Sequence, residues 1–145
     1  MKRLWKPKHS VTLSLAVTYL AGACLLAAMA AMLWMARFYF TFYLTRLWVI
    51  FYVCCPAGWA AIISLLKLLH NIRKGEVFTR RNVKLLRLLS WCFVFTALVS
   101  VYATYVYNPC IIVLAAAGFL AIILRVVKNV MEQATIMREE QELTI

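Results

Sequence analysis

A chain of 145 residues allows one compact domain. Its hydrophobic content of 66% and mean hydropathy of +0.85 exceed the roughly 45–50% apolar content of soluble domains, which excludes an ordinary soluble fold. Sixteen Lys and Arg against five Asp and Glu give +11, but the basic residues stand between long apolar runs, a pattern of membrane orientation and not of direct nucleic-acid contact.

The first uncharged run is residues 11–36, longer than the about 20 residues that cross a bilayer core. Lys2, Arg3, Lys6 and Lys8 precede it as a signal-peptide leader would. The apolar region of such a peptide, however, is only about 7–15 residues, so a span is expected at about 11–36. Between Arg37 and Arg46, Phe38, Tyr39, Phe40, Phe42 and Tyr43 read as an interfacial belt joining two spans. The next uncharged run, 47–66, predicts a second span at about 45–70, with Pro56 and Gly58 as a point of kinking.

Residues 67–87 carry seven basic side chains and sharp local signals. Gly75 follows Arg73-Lys74 as a helix-ending glycine does, and Thr79 offers an N-cap for a helix from Arg80. The expected loop is about 75–79, a helix hairpin whose arms project from the bilayer. The uncharged run 88–124 is too long for one span, and Asn108-Pro109 supplies the break, giving spans at about 88–107 and 110–126 and a helical tail at about 127–145. Counting Lys and Arg gives 4 in the leader, 7 in the hairpin and 3 in the tail, against 2 and 0 in the other two connections. The expected fold is therefore all-α: one polytopic domain over 1–145, an integral membrane four-helix bundle with both ends in the cytoplasm. Small residues would hold it together: Ser14, Thr18 and Gly22, then Cys92, Thr96, Ser100 and Thr104, then Ala115 to Gly118 and Ala121. They form packing seams with hydroxyl hydrogen bonds between helices.

Sites for chemistry are not found. No acidic residue falls inside a span, which counts against ion-coupled transport. His9 and His70 are isolated at span edges, and the five cysteines form no CxxC and read as packing residues. No nucleophile triad or Gly-rich phosphate loop is present, so neither an enzyme nor a cofactor nor a metal is expected.

Two elements outside the spans remain. Arg80, Lys84 and Arg87 share one helix face, and Arg80 and Arg81 occupy a first turn, where the macrodipole disfavours cations. Anionic lipid headgroups or an acidic partner segment would satisfy them. The tail carries Val127, Val130, Ala134, Met137 and Gln141 in steps of three and four, then Arg138, Glu139, Glu140 and Glu142. This stripe folds back on the hairpin, with its carboxylates near Arg80 and Lys84, or pairs with a second copy or another protein.

The run Ile72-Arg73-Lys74-Gly75-Glu76-Val77-Phe78-Thr79-Arg80-Arg81-Asn82-Val83-Lys84-Leu85-Leu86-Arg87 resembles the central motif of the DUF2975 family of small bacterial membrane proteins. The ending Met137-Arg138-Glu139-Glu140-Gln141-Glu142-Leu143-Thr144-Ile145 resembles that family's acidic, Leu-Thr-Ile-like signature, with Glu142 where the family often has Asp. The first external connection is also short for the family. The resemblance implies a multi-pass protein of the bacterial cytoplasmic membrane, with structural roles for Gly75, Phe78, Thr79 and Asn82. It implies no established biochemical activity, and a partnership with a small helix-turn-helix regulator encoded alongside. The expected function is a membrane-anchored regulatory protein that holds a cytoplasmic partner through hairpin and tail. Alternatives are a small oligomeric transporter or channel using the third helix's hydroxyl stripe, or a structural subunit of a membrane complex.

Overall fold

The computed structural model describes residues 7–38 and 42–144. Lys2, Arg3 and Lys6 of the leader, Tyr39 and Phe40 of the aromatic belt, and Ile145 lie outside the described residues. Within them the fold is four α-helices and no strand: α1 (Pro7–Phe38), α2 (Phe42–Arg73), α3 (Arg80–Val106) and α4 (Cys110–Thr144). At about 1.5 Å per residue the shortest, with 27 residues, is about 40 Å long and the longest, with 35, about 52 Å. Each is long and apolar enough to cross a bilayer core of about 30 Å with turns to spare.

Local chemistry sets the helix ends. Pro7 occupies the first position of α1, where its missing N–H costs nothing. Pro56 lies inside α2 without ending it. At the far end of α3, Tyr107 turns extended (φ −146°, ψ 108°), and Asn108-Pro109 carries the chain into α4. In the aromatic segment between Arg37 and Arg46, expected as an interfacial belt joining two spans, α1 runs to Phe38 and α2 starts at Phe42. Near lipid a helix satisfies backbone groups that a loop would leave open.

The helices pack in chain order: α1 against α2, α2 against α3, α3 against α4. Among the described residues α1 meets neither α3 nor α4 closely, so the bundle is open on that side. Large apolar side chains cover the outside, including Trp34, Leu98, Ile112 and Phe119, each about two-thirds exposed. A soluble protein does not expose this much apolar surface; a multi-pass membrane protein turns it to lipid.

The seams use small residues, as lipid demands, but differ in detail from expectation. Thr18 is buried on α1, and Gly22 faces Ile62 of α2. Gly58 of α2 faces Leu25 of α1. On α4 the buried residues are Ala117 and Ala121, whereas a Cβ on Gly118 would meet nothing within 4 Å. The hydroxyls of Thr96, Ser100 and Thr104 do not bridge helices. Each donates to the carbonyl four residues back in α3, at 2.8–2.9 Å, because that acceptor is always within reach of a helical Ser or Thr. Bonds that cross between helices include Ser90 donating to the Ala121 carbonyl (3.3 Å) and Tyr52 donating to the Met29 carbonyl (3.4 Å).

Ala121 is thus buried in the α3–α4 seam, with its carbonyl bonded to Ser90 of α3. Ala121→Phe is expected to lower thermal stability in detergent by about 1–3 kcal/mol through overpacking. Gly118→Leu, on the open side, should change it by less than about 0.5 kcal/mol. Equal losses would contradict this assignment of faces.

Candidate binding site at the charged end of the helices

The charged residues collect at one end of the molecule, where the α2–α3 hairpin and the second half of α4 extend past the uncharged runs. The buried apolar residues Leu68, Val83, Leu86 and Leu89 gather here as well. Apolar burial yields free energy against water but not against lipid, and the buried leucines and valine lie toward this end, whereas deeper in the uncharged runs the buried apolar residues are small: Cys55, Cys92, Ala103, Ala117 and Ala121.

The hairpin is built around Asn82, whose side chain is fully buried. Its Nδ2 donates to the carbonyls of Glu76 (2.7 Å) and Val77 (2.9 Å), and its Oδ1 accepts from Asn71 Nδ2 of α2 (2.8 Å). Gly75, at φ +86°, closes α2 in a conformation that favours glycine. With that turn made, the Gly75 N–H reaches the Ile72 carbonyl and the Glu76 N–H reaches the Asn71 carbonyl. Thr79, extended at φ −128° and ψ 148°, caps α3 by accepting from the Asn82 N–H. Phe78, at the tip between these caps, is exposed.

The tail of α4 lies along α3. Glu139 receives a two-pronged hydrogen bond from Arg80, Nε at 2.9 Å and the second nitrogen at 2.8 Å. Glu132 lies 2.8 Å from Lys128 Nζ and 3.8 Å from Arg87. Thr135, between them, is buried and donates to the Met131 carbonyl. The hydrogen bond from Arg80 holds the Glu139 carboxyl below the usual carboxylate range, and the reciprocal contact raises the Arg80 guanidinium. Lys128, by hydrogen bond and charge, does the same to Glu132.

Sequence-derived candidates thus divide. Arg80 and Arg87 are engaged by carboxylates of the chain's own tail. Arg138 and Glu142 pair with each other along α4 (3.3 Å). Arg81 and Lys84 are exposed and have no ion-pair partner among the described residues, and Glu140 is exposed. The carboxylates therefore meet Arg80 and Arg87, and Lys84 is left over. The face of α4 against α3 also differs from expectation. Val130 (60% exposed) and Met137 (62%) face outward with Val127 and Gln141. The buried line runs instead through Ala117, Ala121 and Thr135, whose small side chains allow the close approach that the ion pairs require. Asn71, Lys128, Glu132 and Thr135 were not among the candidates. A signal existed for two of them in the i, i+4 spacing of Lys128 and Glu132.

A cleft of about 560 Å³ opens at the hairpin tip, between Phe78, Arg81, Arg138, Glu139 and Glu142. A smaller one of about 180 Å³ lies between α3 and α4 beside Lys84 and Ile136. No group of three or more His, Cys, Asp or Glu side chains is arranged to hold a metal among the described residues. The surface offers cations, an aromatic tip and an apolar stripe, which is equipment for binding.

This arrangement defines a class: a multi-pass helical membrane protein with a compact charged platform at one end. The chain belongs to the DUF2975 family, described as protein of unknown function, whose model matches residues 7–145. No curated protein and no solved structure matches the chain.

Asn82→Ala is expected to leave the Glu76 and Val77 carbonyls and the Asn71 amide unpaired, at about 1–3 kcal/mol for each buried group that water does not reach. Thermal unfolding and proteolysis at the hairpin would report it; an unchanged Asn82→Ala protein would refute the role given to this amide. Lowered carboxyl values in the folded state also fix a pH window. The Arg80–Glu139 contribution is fully present above the unfolded glutamate value of about 4.3 and is lost as pH falls through the lowered folded value. A fluorescence-transfer pair on residues 77 and 141 should be constant from about pH 5 to 8 and loosen only below about pH 4.

Proposed function

We propose that this chain is a membrane-anchored binding protein of the bacterial cytoplasmic membrane, with both ends and the hairpin in the cytoplasm, holding a soluble helix-turn-helix regulator on its charged platform. The observation that carries the reading is the uncovered stripe Val127, Val130, Met137 and Gln141, with Ala134 half-buried at its edge, on a helix whose opposite face is already packed. Its spacing of three and four is that of a helix seam awaiting a second helix.

The occupant is a partner helix, with acidic residues beside its apolar face, and not a second copy. Residues 67–87 and 125–145 together carry ten basic and five acidic side chains, a net of +5, so two copies meeting here repel. Arg81, Lys84 and Phe78 are exposed on the adjoining hairpin and α3, a chemistry suited to such a partner. The orientation rests on the excess of Lys and Arg at this end. Transport is the weaker reading: the third helix's hydroxyls are satisfied by their own backbone, and no acidic residue lies in the spans.

Co-expression of the full chain with a helix-turn-helix regulator of the kind the family resemblance implies tests the reading. The regulator is expected in the membrane fraction with the wild-type chain, and Val130→Asp/Met137→Asp should weaken its retention at least about tenfold. A regulator that stays soluble in both cases sinks the proposal. A reporter active only in the cytoplasm, fused after residue 145, should be active; activity only from an export-dependent reporter would reverse the orientation.

A further inference from the structure

A third cleft, of about 250 Å³, lies between α3 and α4 and is lined by Arg87, Ser90, Trp91, Val94, Arg125 and Lys128. Its position relative to the bilayer follows from the sequence alone. Arg87 is the last charge before the uncharged run 88–124, and Arg125 is the first charge after it. The two arginines therefore mark the membrane border on adjacent antiparallel helices, and the cleft opens at that border whichever side of the membrane it faces.

Three cations converge on this cleft. Lys128 is largely covered, its side chain only 16% exposed, and keeps an ion pair with Glu132; Arg87 reaches the same carboxylate at 3.8 Å. Arg125 has no ion-pair partner among the described residues. Three positive charges against one carboxylate leave a local +2. The apolar side completes an amphipathic shape. Ser90 ties the floor to α4 through the Ala121 carbonyl, the exposed Trp91 indole sits one turn from Arg87, and Val94 lies one turn deeper. Indoles settle at the headgroup level of a bilayer, and guanidinium groups match phosphate oxygens with paired donors.

We propose that this cleft is a binding site for the phosphate headgroup of an anionic phospholipid, with Arg125 and Lys128 as principal ligands, Arg87 as the third, and Trp91 and Val94 against the glycerol and upper acyl chain. The surplus charge of +2 favours a lipid with two phosphodiesters over one with a single phosphate. The site is separate from the uncovered stripe of α4, so it stands or falls independently of the partner reading.

The test uses the purified full chain in a neutral detergent, titrated with diphosphatidylglycerol, phosphatidylcholine or inorganic phosphate and followed by native mass spectrometry. Wild-type protein is expected to retain diphosphatidylglycerol, not phosphatidylcholine, and inorganic phosphate should not compete. Arg125→Gln/Lys128→Gln should weaken retention about thirtyfold, from the usual contribution of two basic groups at a membrane surface. Arg73→Gln/Lys74→Gln removes the same charge elsewhere on the hairpin and should change it less than about threefold, while Lys128→Arg should retain binding. A thermal unfolding curve for each variant separates lost binding from lost folding. Equal weakening by the two double variants would show diffuse attraction and overturn the site. Competition by inorganic phosphate as effective as the lipid would identify a soluble-anion site and overturn the lipid assignment.

Discussion

The Asn82 side chain joins two adjacent backbone carbonyls to one other side chain, groups that no apolar contact could align. Its amide binds the Glu76 and Val77 carbonyls from one nitrogen while its oxygen holds Asn71, and its own N–H is taken by the Thr79 cap. Fully buried, each of these groups would cost free energy if left open, so the loop has one conformation in which all are paired. That conformation fixes where α3 starts relative to the end of α2. Every later feature of the charged end inherits its register from there: Arg80 on the first turn of α3, Arg87 two turns on, and the groove into which α4 settles.

The ion pairs between α3 and α4 then act more as a ruler than as glue. Arg80 meets Glu139 and Arg87 meets Glu132, positions seven apart on each helix and running in opposite directions. Such exposed pairs contribute little to stability by themselves. A shift of one turn, however, would set both guanidinium groups against the wrong residues, so the pairs select one alignment among several of similar packing energy. Within the lipid the seam has little to choose by, since its residues are alanines and serines and the surrounding medium is as apolar as the side chains.

This explains what the sequence discloses and what it withholds. Helix number, the turn at Asn108-Pro109, the glycine that ends α2 and the threonine that begins α3 are all local signals, and each acts on the backbone within a few residues. Facing is not local. The stripe with Val130 and Met137 has the more apolar pattern, yet α3 takes the line through Ala121 and Thr135, because closeness and charge pairing outweigh apolarity. The hydroxyl stripe of α3 misleads for a related reason: spacing of four is right for a seam and equally right for a hydroxyl bonding its own helix. Asn71 carries no pattern at all, being a single amide whose partner lies eleven residues on, across the turn.

The strictly sequential packing of the helices bears on how the chain is made. Among the described residues α1 packs on α2, α2 on α3 and α3 on α4, so the interfaces join neighbours in synthesis order. Contacts between chain neighbours close short loops, whose entropy cost is small. The hairpin between α2 and α3 is the exception in one respect. Its loop closes on itself through Asn71 and Asn82, but Arg80 and Arg87 lack their carboxylates until residues 132–139 emerge. The nascent protein thus presents these two guanidinium groups without their carboxylates, and a chain truncated before Glu132 would keep them so.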